Sequence, residues 1–300
     1  MRFGPLGLPK RWDLTDKVVL ITGAAAGIGA ATARQLVAEG ARVALVDRDE
    51  AAARRTAMAL GDRAAAFVAD VTDTGAVDKA TAQIIDRFGG IDVVLANAGI
   101  VGPVATFAAM DDAAFDQVID VNVLGAARTV RAALPSVIER GGYVLVVASA
   151  AAAIPTPTIA VYGVSKAGAE ALGRSLRMEL TETAATAGVA YFGLIDTAMV
   201  RDDLLGGTGL EAVMAPLPKW FREPAPVDDA ARAIVAGIKG RARWVYAPRY
   251  LPLLLALRTT IALAEPIMAR SKGLRAAIRQ ANTISHLDAT SADSSRSSIR

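Results

Sequence analysis

A tyrosine and a lysine four residues apart are the side chains best suited to chemistry in this 300-residue chain. Tyr162 and Lys166 occur in the run Val-Tyr-Gly-Val-Ser-Lys, and Ser149 lies thirteen residues before Tyr162. If this segment is helical, a spacing of four places the phenol and the ammonium group on one face. A nearby cation favours the phenolate and is expected to lower the pKa of Tyr162 from its usual value of about 10. The pair is therefore a candidate general acid and base for interconverting a ketone and an alcohol.

A glycine-rich segment near the N-terminus is suited to binding a dinucleotide. The apolar run 18–21 is short and rich in β-branched residues, which predicts a buried parallel strand. The glycines that follow let the backbone approach a pyrophosphate, and the alanine-rich run 30–38 predicts a helix whose N-terminal amides favour phosphate. The residues expected at this phosphate turn are Gly23, Gly27, Ile28 and Gly29.

An acidic residue follows the next predicted strand, 42–46. Asp47 lies eighteen residues beyond Gly29, where a carboxylate can accept hydrogen bonds from the hydroxyls of a ribose. A glycine pattern alone is a common feature of sequences. The order of strand, glycines, helix, strand and acid is typical of a dinucleotide-binding βαβ unit, so we predict such a unit here.

Together these motifs resemble the short-chain dehydrogenase/reductase family, in its main branch with Thr-Gly-x-x-x-Gly-x-Gly and Tyr-x-x-x-Lys motifs. The resemblance runs in order along the chain from Trp12 to Ala247. It implies a nicotinamide cofactor and a catalytic tetrad made of Asn122, Ser149, Tyr162 and Lys166. Beyond the phosphate turn and Asp47, the cofactor contacts that it implies come from Asp70, Val71, Asn97, Ala98, Gly99, Tyr162, Lys166, Ile195 and Thr197.

The resemblance also implies a role for each member of the tetrad in hydride transfer. Ser149 would hydrogen-bond the substrate oxygen and stabilise developing charge, and Tyr162 would exchange the proton. Lys166 would lower the pKa of Tyr162 and hold the nicotinamide ribose. Asn122 would bend its helix and hold a water that joins Lys166 to solvent.

Other implied roles concern the ends of the cofactor. Asp70 and the backbone of Val71 would hold the adenine ring, and the run Asn97-Ala98-Gly99 would support the central strand. Thr197 would meet the nicotinamide amide and the phosphates.

Three residues depart from the family pattern, although none removes a reacting group. Ala96 stands where the family usually has a second Asn, and Ala148 replaces a Ser before Ser149. Phe192 replaces a Pro, which leaves the start of the substrate loop less rigid because φ is no longer restricted.

Charge near the second strand favours NAD over NADP. Asp47 would repel a 2′-phosphate and bind a free 2′-hydroxyl. The positions just before Gly27 are alanines, so the basic residue common there in NADP-preferring relatives is missing. Arg48 argues in the other direction, for NADP, since its positive charge could bind a 2′-phosphate.

Apolar runs and helical patterns alternate along the chain. This alternation predicts an α/β fold with a doubly wound, Rossmann-type parallel sheet of about seven strands and helices on both faces. The predicted strands are 18–22, 42–46, 65–69, 92–96, 143–148, 188–193 and 244–247, and the predicted helices are 27–39, 49–60, 74–88, 112–139, 161–184 and 227–239. A ligand is expected at the carboxyl ends of the strands.

Composition limits the available chemistry. The chain has no Cys and one His, His286, which excludes disulfides, thiolate metal sites and a Ser-His-Asp triad in the core. We expect no bound metal and no nucleic-acid partner. Residues 1–12 have charges and prolines but no apolar core, so no signal peptide is predicted. We expect a cytoplasmic homodimer or homotetramer.

The C-terminal region differs from the rest of the chain in charge. We predict a single Rossmann-type dehydrogenase domain over 1–248, an apolar and basic helical extension over 249–281, and a disordered tail over 282–300. Residues 241–300 contain ten Lys or Arg and three Asp or Glu, a net charge of +7. Charges and a proline interrupt the apolar run before it reaches the ~20 residues that a membrane span needs. Two interpretations remain: the extension packs on the domain or a second subunit, or it makes peripheral contact with anionic lipid.

The residues expected to line the substrate pocket are apolar. They offer no cation for a carboxylate or phosphate, so we predict a bulky apolar secondary alcohol or ketone, such as a steroid, terpenoid or lipid-like molecule. The alternative is an NAD-binding scaffold or sensor with little turnover. The expected lining consists of Ile100, Val101, Pro103, residues 150–154, Leu194 and Met199.

Overall fold

Seven parallel strands form the central sheet of the computed structural model, which describes residues 11–204 and 219–282. In chain order the strands are β1 (Val18–Thr22), β2 (Arg42–Asp47), β3 (Ala64–Val68), β4 (Val93–Ala96), β5 (Tyr143–Val147), β6 (Thr186–Phe192) and β7 (Trp244–Ala247). Their order across the sheet is β3-β2-β1-β4-β5-β6-β7. The predicted doubly wound parallel sheet is confirmed.

Helices cover both faces of this sheet. They are α1 (Gly27–Ala38), α2 (Glu50–Leu60), α3 (Thr74–Phe88), α4 (Asp112–Ile119), α5 (Ala126–Glu139), α6 (Ala160–Glu179) and α7 (Val227–Gly240). Aspartates begin three of them: Asp49, Asp73 and Asp111 each accept a hydrogen bond from the backbone N–H three residues further on. These caps satisfy N–H groups that a first helical turn leaves without partners.

The core lies in two layers, one on each face of the sheet. Every side chain of β1, β4 and β5 is buried, because these strands are apolar at successive positions and not only at alternate ones. Leu36 of α1 and Ile234 of α7 belong to the layer on one face. Ile84 of α3 and Val137 of α5 belong to the layer on the other face.

One predicted helix is interrupted in the structure, and another is shorter than predicted. The predicted helix 112–139 consists of α4, a π-helical turn over Asp120–Gly125, and α5. The predicted helix 161–184 ends at Glu179 and is followed by the 3-10 turn Leu180–Glu182. The π-helical turn matters for function, because it carries Asn122.

The segment after Pro248 contains three further helices, α8 (Leu251–Ala256), α9 (Arg258–Met268) and α10 (272–282). Leu251 is fully buried with Ala148, Ala150 and Tyr191, so α8 begins on the domain. Asn282, the first residue of the predicted disordered tail, instead ends α10 and is hydrogen-bonded to Thr106. The rest of that tail, with His286, lies outside the described residues. None of the described helices has the length and apolarity needed to cross a bilayer.

Candidate active site

The carboxyl ends of β1 and β4 border a cleft where the strand order of the sheet reverses. The strands that follow β1 lie on one side of it up to β3, and β4 begins the other side. Ligands bind at such switch points in doubly wound sheets. The cleft holds a cavity of about 240 Å³. Twelve of the predicted site residues line it: Gly23, Gly27, Ile28, Asp47, Asn97, Ala98, Gly99, Ser149, Tyr162, Lys166, Ile195 and Thr197.

A larger hollow of about 610 Å³ lies between α1, α7 and β7. Its lining is rich in charged residues such as Arg11, Glu39 and Arg232, and contains none of the predicted site residues. We assign the chemistry to the smaller cavity because the polar groups that could react converge there.

The phosphate turn is shaped by the absence of side chains. Gly23 has a φ of +64°, and a Cβ there would lie 2.9 Å from Cα of Ala98. Gly27 has a φ of +53°, and a Cβ there would approach Cγ2 of Thr197 at 3.4 Å. Ala26 begins α1 and gives no side-chain cap to its N–H groups. A turn without side chains next to uncapped helical amides fits a pyrophosphate.

A threonine and an asparagine tie β1 to β4 below this turn. Oγ1 of Thr22 accepts hydrogen bonds from the backbone N–H groups of Asn97 and Ala98, at 3.1 and 3.2 Å. Nδ2 of Asn97 donates to the carbonyls of Thr22 and Gly23, at 2.9 and 3.2 Å. These bonds hold the two strand ends at the separation that leaves the cleft open.

Asp47 reaches the cleft from the end of β2. Its Oδ2 accepts a hydrogen bond from N–H of Ala25 at 2.9 Å, and its Oδ1 accepts one from N–H of Asp49 at 3.1 Å. Both bonds fix the carboxylate beside the phosphate turn, where a ribose diol would lie.

Five predicted site residues do not line the cavity, and Gly29 and Val71 are two of them. A Cβ on Gly29 would strike the carbonyl oxygen of Gly23, so Gly29 allows the turn to lie on α1. Val71 is buried and would block a Cβ on Gly125. The remaining residues outside the lining are Arg48, Asp70 and Asn122.

Asp70 and Arg48 lie near each other, further along the cleft edge. Burial acts to raise the pKa of Asp70, but hydrogen bonds from N–H and Oγ1 of Thr72, and the charge of Arg48, bring its pKa below the usual value. A carboxylate held ionised at this place is consistent with the adenine contact expected of Asp70. Arg48 itself is exposed.

Ser149 and Tyr162 meet at the other side of the cavity. Ser149 follows β5 and its hydroxyl donates to the carbonyl of Phe192 at 3.2 Å. Tyr162, in the first turn of α6, is half-buried and hydrogen-bonded to Ser149. The hydroxyl groups of these two predicted site residues therefore lie next to each other in the structure.

Lys166 lies one turn further along α6, buried behind Tyr162. Its Nζ donates to the carbonyl of Val147 at 3.1 Å and lies 5.7 Å from the centroid of the Tyr162 ring. Burial lowers the pKa of Lys166 to about 8. Gly99 gives the ammonium room, since a Cβ there would lie 3.2 Å from Nζ.

The pKa of Tyr162 shifts in the opposite direction from the sequence-based expectation. Burial raises it, and the hydrogen bond with Ser149 offsets only part of this increase. The expectation that Lys166 sets a lowered pKa for Tyr162 is wrong for this structure, because the phenol and the ammonium share a buried environment that disfavours charge on both.

Asn122 holds the backbone next to Lys166 in place. Its Oδ1 accepts from N–H of Ile100 at 2.8 Å, and its Nδ2 donates to the carbonyl of Ile100 and to Oγ of Ser165, both at 2.8 Å. The asparagine is buried within the π-helical turn, which is the helix distortion that the resemblance implies. A Cβ on Gly99 would lie 3.1 Å from Oδ1 of Asn122, so the amide is close to the lysine.

Two polar residues that support the site were not predicted as site residues, although Thr22 begins the Thr-Gly-x-x-x-Gly-x-Gly motif. Ser165 accepts a hydrogen bond from Asn122 and donates one to the carbonyl of Tyr162 at 2.8 Å. Thr22 connects the phosphate turn to Asn97, as described above. Ser165 directly precedes Lys166 in the Tyr-x-x-x-Lys motif, and its position next to a predicted catalytic residue is the signal that could have identified it.

The lowered pKa of Lys166 predicts a pH dependence of stability. Its folded-state pKa of about 8 lies below the ordinary 10.5. Between these values the unfolded chain binds more protons, so the stability contribution of Lys166 increases with pH. We expect the free energy of unfolding to increase by about 2 kcal/mol from pH 8 to pH 10 relative to a Lys166→Met variant.

Urea denaturation of both proteins across this range measures the difference. The raised pKa of Tyr162 acts mainly above pH 10, which is why the comparison stops there. If the free energy of unfolding changed with pH in the same way in both proteins, the burial of the Lys166 ammonium group would be contradicted.

Fold and cleft together define a class, the nucleotide-binding α/β oxidoreductases. The family model for short chain dehydrogenases matches residues 17–204. The chain therefore belongs to the short-chain dehydrogenase family, whose members act on CH–OH groups.

Individual relatives differ in the substrates for which they are named. The chain is 32% identical over 240 residues to a 2,3-dihydro-2,3-dihydroxybenzoate dehydrogenase of Bacillus subtilis, covering 76% of this chain and 92% of that protein. It is 34% identical over 185 residues to a sorbitol dehydrogenase of Cereibacter sphaeroides, covering 61% and 72%. A 3-ketoacyl-(acyl-carrier-protein) reductase from Brucella melitensis, solved with NADH, superposes with a TM-score of 0.70 at 27% identity, covering 78% of this chain and 97% of that chain.

Proposed function

We propose that this protein interconverts a bulky apolar secondary alcohol and its ketone with NAD as the cofactor. The observation that carries the proposal is that Ser149, Tyr162 and Lys166 converge on one cavity, with Lys166 buried behind Tyr162. All three side chains line a cavity whose other end is a phosphate turn. A proton-transfer group and a dinucleotide site in one cleft are what a carbonyl reduction or alcohol oxidation needs.

The protein's own groups hold the substrate oxygen and move its proton. NAD supplies the hydride acceptor for oxidation, and NADH the hydride donor for reduction. Ser149 donates a hydrogen bond to the substrate oxygen and stabilises its developing charge. Tyr162 accepts the hydroxyl proton as a phenolate during oxidation, which returns it to the phenol, and it donates this proton from the phenol during reduction, which leaves the phenolate. The ammonium group of Lys166 lies 5.7 Å from the centroid of the Tyr162 ring, so its charge would offset part of the cost that burial adds to the phenolate.

Residues from both halves of the sheet would hold the cofactor. The backbone at Gly23 and Gly27 would receive the pyrophosphate, and Asp47 the adenosine ribose. Lys166 and Thr197 lie at the other end of the cavity and would contact the nicotinamide half.

The preference for NAD over NADP rests on Asp47. Its carboxylate is fixed by two backbone N–H groups and would repel a 2′-phosphate. We expect the protein to bind NAD more tightly than NADP and Asp47→Ala to reduce the ratio of the two affinities about tenfold or more, since a close charge pair is worth over 1 kcal/mol at low effective dielectric.

Isothermal titration calorimetry with NAD and with NADP measures these affinities. Asp62→Ala is the matched control, because it removes an exposed carboxylate from a turn that does not line the cleft. Equal or tighter binding of NADP by the unmodified protein would contradict the assignment.

The apolar substrate class is supported by the side chains around Tyr162. The half-buried ring packs against a cluster of buried apolar residues, with Val101, Ile159 and Val200 among them. Leu194 and Met199, both expected in the lining, pack on the same cluster. An apolar molecule at Tyr162 would bury its surface against these groups, and about 0.8 kcal/mol is gained for each buried methylene.

A series of alcohols tests the substrate class. We expect kcat/KM with NAD to increase with apolar size among secondary alcohols and to exceed that for sorbitol about tenfold or more. A preference for sorbitol would contradict the substrate class and leave the oxidoreductase activity standing. No turnover with any alcohol or ketone, in a protein that still binds NAD, would favour the NAD-binding sensor instead.

A further inference from the structure

Exposed apolar side chains are concentrated on α8, on α9 and at the residue that joins them. Leu253, Leu257, Leu263 and Ile267 are each between 46% and 78% exposed, although they occupy a stretch of fifteen residues. Leu253 lies in α8 and Leu257 joins α8 to α9. Ile267 follows Leu263 by four positions within α9, a spacing that places these two side chains on one side of that helix. We call these four residues the apolar face of the extension.

The opposite side of the same segment is attached to the domain. Leu251 is fully buried, and Leu254 and Leu255 pack on the cluster that contains Ala148 and Tyr191. Nη1 of Arg258 lies 3.7 Å from Oε1 of Glu170, which is buried on α6. The packing of Leu251, Leu254 and Leu255 fixes the orientation of α8, and the side chains of α9 that the structure describes are all exposed. The apolar face is therefore turned to solvent.

Positive charge accompanies the apolar face. Residues 249–282 contain six basic residues and one acidic residue, a net charge of +5. Arg270 follows α9, Lys272 and Arg275 lie in the first turn of α10, and all three side chains are exposed. Within residues 11–204 and 219–282, no ion pair involves these three side chains. Their charge is available to an anionic partner.

From this combination we propose that the extension docks on the surface of an anionic lipid bilayer. The apolar face would enter the boundary between headgroups and acyl chains, and Arg270, Lys272 and Arg275 would lie against the anionic headgroups. α9 has eleven residues, about 16 Å of helix, which is half the thickness of a bilayer core. The helices therefore lie along the surface and do not cross it.

Charge favours a membrane over a second copy of the chain as the occupant. In a two-fold symmetric dimer the same patch meets itself, so two segments of +5 would face each other. An anionic bilayer instead attracts each basic residue, by about 1 kcal/mol per charge or roughly fivefold in affinity. This inference is independent of the proposed function, because it involves neither the cofactor nor the substrate.

Vesicle cosedimentation of the full chain tests the proposal. We expect binding to vesicles of phosphatidylcholine with phosphatidylserine, little binding to phosphatidylcholine alone, and loss of binding at about 1 M salt, where the Debye length falls to ~3 Å. The double variant Leu263→Glu with Ile267→Glu should lose binding about tenfold or more. The triple variant Arg270→Gln, Lys272→Gln, Arg275→Gln should lose vesicle affinity by about fivefold for each charge removed.

Met58→Glu with Met178→Glu is the matched control. It places the same two charges at apolar side chains that are 82% and 69% exposed on α2 and α6, and it should leave vesicle binding unchanged. Circular dichroism and NAD affinity confirm that each variant is folded. The proposal is overturned if the unmodified chain does not bind phosphatidylserine-containing vesicles at low salt. It is also overturned if Leu263→Glu with Ile267→Glu changes the oligomeric state in light scattering but leaves vesicle binding intact.

Discussion

Tyr162→Phe is expected to reduce kcat by about 10²- to 10⁴-fold, the usual contribution of a positioned general acid or base. The substitution removes the hydroxyl that meets Ser149 and leaves the ring in its apolar cluster. The affinity for NAD should change by less than about twofold, because only the proton transfer is lost. Steady-state kinetics and cofactor titration on the same preparation measure both quantities.

Tyr246→Phe is a suitable control for the loss of a phenol. Tyr246 is half-buried on β7 and its ring stacks with Tyr191, away from the cavity. We expect this variant to retain normal kcat. Near-normal turnover by Tyr162→Phe would falsify the mechanism, whatever the control does.

The second large effect is expected from Gly23→Ala. The φ of +64° disfavours an L side chain, and the new methyl group would press on the backbone of Ala98 at 2.9 Å. Relief requires the phosphate turn to move away from β4, so NAD affinity should fall about tenfold or more. Stability should fall by about 1–3 kcal/mol. Calorimetric titration with NAD and urea denaturation measure the two effects.

Gly61→Ala separates backbone strain from the loss of the phosphate turn. Gly61 has a φ of +74°, and a Cβ there would have no heavy atom within 4 Å. This variant should therefore lose some stability and keep its NAD affinity. Equal loss of NAD affinity in both variants would show that the turn does not hold the cofactor.

The sheet could be predicted from the sequence because its strands are uninterrupted apolar runs. β1 and β5 are buried on both faces, so their composition alone separates them from amphipathic helices. The order of phosphate turn and acidic residue then indicated the binding edge. The apolar pattern gave no sign of the interruption of 112–139, and only the family resemblance implied a bend at Asn122. The reason is that hydrogen bonds between Asn122 and Ile100, which are distant in sequence, stabilise the π-helical turn.

The burial of the active-site side chains could not be predicted from the sequence. The spacing of Tyr162 and Lys166 correctly predicted that they lie near each other, but not that both lie in surroundings that disfavour charge. Burial within the C-terminal extension could not be predicted either. Leu253 and Leu254 are adjacent and equally apolar, yet Leu253 is exposed while Leu254 packs on the domain.

Transfer of deuterium from carbon to cofactor tests the central claim most directly. An apolar secondary alcohol deuterated at the carbinol carbon is incubated with NAD and the unmodified protein, and the reduced cofactor is analysed by mass spectrometry. We predict NADH that carries one deuterium, formed by the unmodified protein and almost absent with Tyr162→Phe. Unlabelled NADH, or labelled NADH formed equally by the two proteins, would contradict hydride transfer at a site governed by Tyr162.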